Sequence, residues 1–186
     1  MTSSTEHRPP TDPSSSEADE QQLQLAREQG DAYGRALKHM VTEVAENGGE
    51  KAAGPYRVAY AVEEAEGMYA WSDGELVWQE PSAENLHVEI AVRDGADGRF
   101  VPGLCVTATL LTDDGEEIGT HEHPLLWHPM IYHYGRNWKV PHDGAYTLRV
   151  HIDPPRFMRH DEINGKRFGE PVDVAFSGVQ AKTGQG

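Results

Sequence analysis

This 186-residue chain has one cysteine, five lysines and no long apolar run. A single thiol, Cys105, excludes an internal disulfide and a thiolate zinc cluster. It sits in an apolar alternating run, which predicts a buried, inert side chain. A helix that crosses a bilayer needs about 20 consecutive apolar residues, so no direct membrane span is expected. The N-terminus is polar and acidic, with no basic segment leading into an apolar one. That reads as a chain without a secretory signal, hence cytoplasmic. Positive charge is scarce as well: 16 Lys and Arg face 31 Asp and Glu, for a net charge of -15. The acidic excess is spread along the chain, with ten acids and four bases in residues 1–50. Phosphates would be repelled, which excludes nucleic acid as a partner. A dispersed acidic excess with few lysines predicts a salt-adapted, halophilic protein, whose folding depends on KCl; full folding in dilute buffer would contradict this.

Familiar catalytic signatures are missing too. There is no His-Glu-x-x-His, no Gly-x-Ser-x-Gly and no phosphate-cradling glycine loop. The glycines fall in turns, their ordinary use. Asp161 and Glu162 stand beside His160, but no pocket accompanies them in the sequence. The chain is read as a non-enzyme with no catalytic residues.

What is present divides into three parts. Residues 1–15 are rich in Ser, Thr and Pro and predict a disordered tail. Residues 16–49 predict an amphipathic helix. Ser16 supplies a cap with acids in the first turn, and apolar residues recur every three or four positions from Leu23 to Val44. Asn47-Gly48-Gly49 has the composition of a helix C-cap. The apolar stripe needs a partner: the following domain, a second copy in a homodimer, or another protein. From Pro55 to about residue 180 the period becomes two. Strands are predicted at 56–62, 68–71, 75–78, 86–92, 104–111, 118–121, 132–134, 138–140, 146–152 and 172–176. Turn signals such as Asp94-Gly95, Asp114-Gly115 and Asp143-Gly144 separate them. Many short strands with frequent turns indicate an all-β fold, an antiparallel β-sandwich or barrel. Most Trp and Tyr lie in these strands and are expected in the core.

Eight of the ten histidines lie between His87 and His160. Neutral imidazole is the commonest protein metal ligand. His87 and Glu89 are two apart in a strand, so they share a face. They can share a metal, or the carboxylate can orient the imidazole. His121 and His123 repeat that spacing, and His128 and Met130 follow. His133 is flanked by Tyr132 and Tyr134. His160 stands where the chain leaves a strand for a loop. Each pattern taken alone favours an ordinary solvated or packed histidine; His142 and His151 are read as structural or exposed.

In order, the motifs resemble the periplasmic iron-transport family of copper-binding β-sandwich proteins, the Fe2+ transport protein family. His87-Val88-Glu89-Ile90 resembles its His-x-Glu strand, and Val101-Pro102 falls where the family opens its next strand. His133-Tyr134-Gly135-Arg136-Asn137 is similar to its His-Tyr-Gly-Ala-Asn. Pro154-Pro155 followed by Arg159-His160 resembles its ending. The resemblance implies an immunoglobulin-like sandwich that binds copper or iron, with zinc as a further candidate, in metal uptake or handling, often as a homodimer. It implies His87, His133 and His160 as metal ligands and Glu89 as an acidic neighbour. The family's methionine ligand corresponds to Leu126 here, so His123, His128 and Met130 are candidates for the vacant role. The family is exported, so an extracytoplasmic location stands against the cytoplasmic reading. The acidic composition fits a salt-adapted archaeal relative. The alternative reading is a non-catalytic interaction module with a degraded site and the helix as its working surface.

Overall fold

The structure, a computed structural model, describes residues 14–45 and 47–186. The expected disordered tail, with His7, lies outside the described residues up to position 13. Its last residue, Ser15, donates from its hydroxyl to Asp161 Oδ2 at 2.9 Å.

Helix α1 spans Glu20–His39. It is capped by Asp19 rather than Ser16. The Asp19 carboxylate accepts from the Gln22 backbone at 2.8 Å, and the Gln22 side chain accepts from the Asp19 backbone at 2.8 Å. This reciprocal box satisfies two N-terminal donors. A π-helical turn, Met40–Val44, follows. The Asn47-Gly48-Gly49 segment, expected as a C-cap, instead opens strand β1, Asn47–Ala53. The glycines there serve close packing. A Cβ on Gly48 would lie 2.6 Å from Val41 Cγ1, and one on Gly49 would lie 3.0 Å from Tyr60 Cε1.

Ten further strands follow: β2 Tyr56–Glu63, β3 Met68–Ser72, β4 Glu75–Gln79, β5 Leu86–Asp94, β6 Val106–Thr112, β7 Glu117–His123, β8 Leu125–Trp127, β9 Tyr132–Trp138, β10 Gly144–Ile152 and β11 Val172–Ala181. One sheet has the order β1-β2-β5-β9-β8 and the other β11-β10-β6-β7, with β3-β4 as a separate hairpin. All strand pairs are antiparallel. The all-β sandwich with an N-terminal helix is therefore the fold. The predicted segments 132–134 and 138–140 join into β9, and β1 and β8 are additional.

Period two decides which side chains meet. On β5, Leu86, Val88, Ile90 and Val92 face the opposite sheet. They pack with Val106, Ala108, Leu110, Leu148, Val150 and Ile152. Each such fully buried aliphatic contributes about 1.5–3 kcal/mol relative to exposure. Cys105 shows the same rule in reverse. Leu104 and Val106 point inward, so the residue between them faces outward, and the thiol expected to be buried is exposed. The aromatics also divide. Tyr56, Tyr134, Tyr146 and Trp138 are buried, whereas Tyr69, Trp71, Trp78 and Trp127, expected in the core, are exposed. Three of those four stand on the detached β3-β4 hairpin, which has no second sheet to cover it.

The outer face of the five-stranded sheet is covered by α1. Leu37 and Met40 pack on Ala59, Ala91 and Ile131, with Tyr33, Ala36 and Val41 alongside. The helix thus lays its apolar stripe on its own sandwich. Gly30 permits this closeness, since a Cβ there would lie 1.8 Å from the Asp97 carbonyl oxygen. The Tyr33 hydroxyl donates to the Tyr132 carbonyl at 2.5 Å, and its ring stacks on Phe100. Among the described residues, no helix is long and apolar enough to cross a membrane.

Candidate metal centre

The alternate residues of β5 point to the helix-covered face: His87, Glu89, Ala91 and Arg93. Strand β9 lies beside it, with Gly135 opposite Glu89 and Asn137 opposite His87. This register brings His133, one pleat further along β9, towards the same spot. His87, Glu89 and His133 each offer a ligand atom, and all three atoms lie within 4.8 Å of one another. The side chains are buried, with His87 at 1% exposure. No other such group of three occurs among the described residues.

The surroundings orient the donors. His87 Nδ1 lies 2.8 Å from Asn137 Oδ1. Asn137 Nδ2 donates to the Glu66 carbonyl at 2.7 Å, which fixes the amide with its oxygen towards His87. Nδ1 of His87 therefore carries the proton, and Nε2 keeps its lone pair. A Cβ on Gly135 would lie 2.9 Å from that Nε2, 3.1 Å from His133 Cδ2 and 2.7 Å from Leu126 Cδ1. Glycine is what leaves room between the two imidazoles. His133 Nε2 lies 3.1 Å from Glu89 Oε1 but is not aligned for a hydrogen bond. Both of its ring nitrogens are buried without a hydrogen-bond partner. Buried polar atoms are nearly always paired, so two orphaned nitrogens beside a carboxyl group need an explanation. A bound cation supplies one.

Burial governs the charges here. Desolvation, reinforced by Glu63 and Glu66, pushes the Glu89 carboxyl up to about 8. Desolvation, with His87 and His128 adding, holds His133 down at about 3. His87 is also lowered by burial, which outweighs its bond to Asn137. Near neutral pH the cluster is therefore two neutral imidazoles and a largely protonated carboxyl group. Both imidazoles are in the form that binds metal, and Glu89 becomes a ligand by losing a proton.

The other sequence candidates are placed differently. His123 is buried outside the group of three; its Nε2 accepts from Trp138 Nε1 at 3.1 Å, and its Nδ1 is buried without a hydrogen-bond partner. His128 is exposed, with its ring 6.4 Å from that of His133. Met130 is at the rim, 38% exposed. Leu126 lies directly across from His133 in the β8–β9 pairing. His160 is not brought into the cluster: its side chain is 98% exposed, with Nδ1 3.1 Å from Glu17 Oε2. Asn137 and Gly135 belong to the His133-Tyr134-Gly135-Arg136-Asn137 motif, to which the sequence alone assigns no further role. Their offsets of four and two from His133 are the available signal, because same-face neighbours in a strand recur with period two.

The family model described as Fe2+ transport protein matches residues 45–179. Among curated protein sequences none matches the chain. Solved structures with the same fold include FetP of uropathogenic Escherichia coli strain F11, as isolated after recombinant expression in the periplasm. It is 21% identical over 73% of this chain and 93% of its own, with a TM-score of 0.58. A copper-bound E46Q variant of FetP is 21% identical over 75% of this chain and 92% of its own, at 0.60. Copper-reconstituted P19 of Campylobacter jejuni is 17% identical over 74% of this chain and 96% of its own, also at 0.60.

Proposed function

The chain belongs to the Fe2+ transport protein family, and we propose that it binds copper or iron in metal uptake or handling, through His87, Glu89 and His133. The observation that carries this reading is the pair of orphaned ring nitrogens on His133, buried against Glu89 and beside His87. The residues fit a divalent cation. Asn137 holds the His87 proton on Nδ1, which leaves Nε2 as donor. His133 needs no deprotonation. Glu89 gives up its proton to solvent and contributes negative charge. Two imidazoles and a carboxylate, with Leu126 where the family has a thioether, favour Cu(II) or Fe(II) over Cu(I).

His128 and Met130 at the rim are the candidates for a further ligand from this chain. His160, exposed beside Glu17, is not among the donors assigned here. The copper-bound state of FetP and P19 supports copper as the first metal to test. The periplasmic expression of FetP supports an extracytoplasmic location over the cytoplasmic one.

The test is a titration of metal-free, untagged protein with Cu(II), and with Fe(II) under anaerobic conditions. One equivalent per chain should bind in the parent, and binding should be lost in His87→Ala and His133→Ala. Parent-like binding in both variants overturns the assignment.

A further inference from the structure

A second polar region lies on the same sheet face, about 13 Å along β5 from Glu89 at about 3.3 Å per residue. Here α1 passes over the ends of β2 and β5 and leaves a groove of about 550 Å³. Five of the chain's 16 basic residues line it: Arg27, Arg35 and Lys38 from the helix, Arg57 from β2 and Arg93 from β5. In a protein of net charge -15, this concentration is not what composition alone would place there.

The local charges are balanced only in part, with Arg27 engaged by Glu20 at 2.6 Å. Arg57 and Arg93 are directly opposite one another across the β2–β5 pair, a like-charge placement that is unfavourable by itself. A single carboxylate, Glu50, faces both guanidinium groups. The Arg93 side chain is only 11% exposed, and its Nε is buried with no hydrogen-bond acceptor. Arg35 and Lys38 have no side-chain partner among the described residues, and both are exposed towards the groove. Two lining acids remain. Asp97 is engaged by Arg99 at 2.8 Å, and Asp31 stands on the helix. Gly34 keeps the groove open above Arg93, since a Cβ there would lie 3.0 Å from Arg93 Nη1.

We propose that this groove binds a small polyvalent oxyanion, whose carboxylate or phosphate oxygens are gripped by Arg35, Lys38, Arg57 and Arg93. Guanidinium forks match such oxygens with paired, charge-assisted hydrogen bonds. The site is separate from the histidine cluster and does not depend on metal binding there.

The test uses metal-free full-length protein, with inorganic phosphate and citrate as probes, titrated calorimetrically at fixed ionic strength. Saturable binding of one anion per chain is expected, with a rise in Tm that levels off at saturation. The double variant Arg35→Glu/Lys38→Glu should weaken binding at least about tenfold, the scale of one lost charge-assisted contact. Arg149→Glu, an exposed change of charge on β10, should leave it unchanged. Far-UV circular dichroism and the Cu(II) titration check that each variant is folded. A response to phosphate alone, or to citrate alone, supports the site and names its ligand geometry. Equal affinity in the double variant, equal loss in Arg149→Glu, or no saturable binding of either anion overturns the proposal.

Discussion

The outer face of the five-stranded sheet carries two polar regions on one strand, and solvent access makes them opposites. At one end of β5, His87 and Glu89 are almost fully buried, and burial drives each towards its uncharged form. At the other end Arg93, itself only 11% exposed, stands under the exposed side chains of Arg35, Lys38 and Arg57. Between them sits Ala91, pressed against the helix by Leu37 and Met40. The difference teaches how one strand can hold both chemistries. Where water is excluded, a donor set stays neutral and gains from a cation that deprotonates it. Where water enters, fixed cations persist and make a long-range, salt-sensitive field.

The most forceful way to sharpen this contrast is to remove a donor. His133→Ala or His87→Ala should weaken Cu(II) binding by more than about hundredfold. That exceeds the 10–100-fold commonly lost when only an orienting partner is removed. Isothermal titration reads the metal loss, and the same variants should bind phosphate in the groove like the parent. Asn137→Ala comes next. It leaves all three donors but frees the His87 tautomer, so Cu(II) affinity should fall by about 10–100-fold. An unchanged affinity would show that the Asn137 bond does not set the donor atom.

The next effect is that of pH. Glu89 must be ionised to act as a ligand, and burial raises its carboxyl to about 8. Below that pH, binding displaces a proton, so affinity should rise by about tenfold per pH unit and level off above it. Glu89→Gln should flatten the profile, and competition titrations from pH 6 to 9 would show it. A profile equally steep in the variant would mean that another group supplies the proton.

How much of this was legible beforehand depends on the scale of the signal. The strands were, because period two is local: β2, β5 and β10 stand close to where alternation places them. The same parity put His87 and Glu89 on one face. Parity misled at Cys105, because composition alone does not tell which half of an alternating run faces inward. β1 was hidden by Gly48-Gly49, whose composition fits a cap, while the actual constraint is contact with Val41 and Tyr60. The meeting of His133 with Glu89 is a matter of register between β5 and β9, between residues 44 positions apart. Motif resemblance supplied it where local pattern did not. Resemblance also named His160, but its place is set by how the 153–171 loop folds, and within one chain that loop keeps it at the surface beside Glu17. The cationic groove was invisible, since its five residues come from three elements and no spacing connects them.

The smallest effect on metal affinity should come from His123, and it sets the limit of the buried region. Trp138 already donates to its Nε2, so His123→Gln, which keeps an acceptor there, should change Cu(II) affinity by less than about threefold, within the usual scatter of a distant polar change. A hundredfold loss would instead make His123 a ligand. Its effect should appear in acid stability. Burial, with His87 and Arg136 adding, holds the folded imidazole down at about 3, against an ordinary value of 6.5. Between those two values the unfolded chain binds more protons than the folded one. Stability therefore falls as pH drops from 6.5 towards 3. Removing the imidazole removes that share of the loss, so metal-free His123→Gln should lose less stability than the parent over this range. Urea unfolding of both proteins at pH 7 and pH 4.5 reads the difference directly, and equal losses in the two would show that His123 is already protonated in the folded chain at pH 4.5.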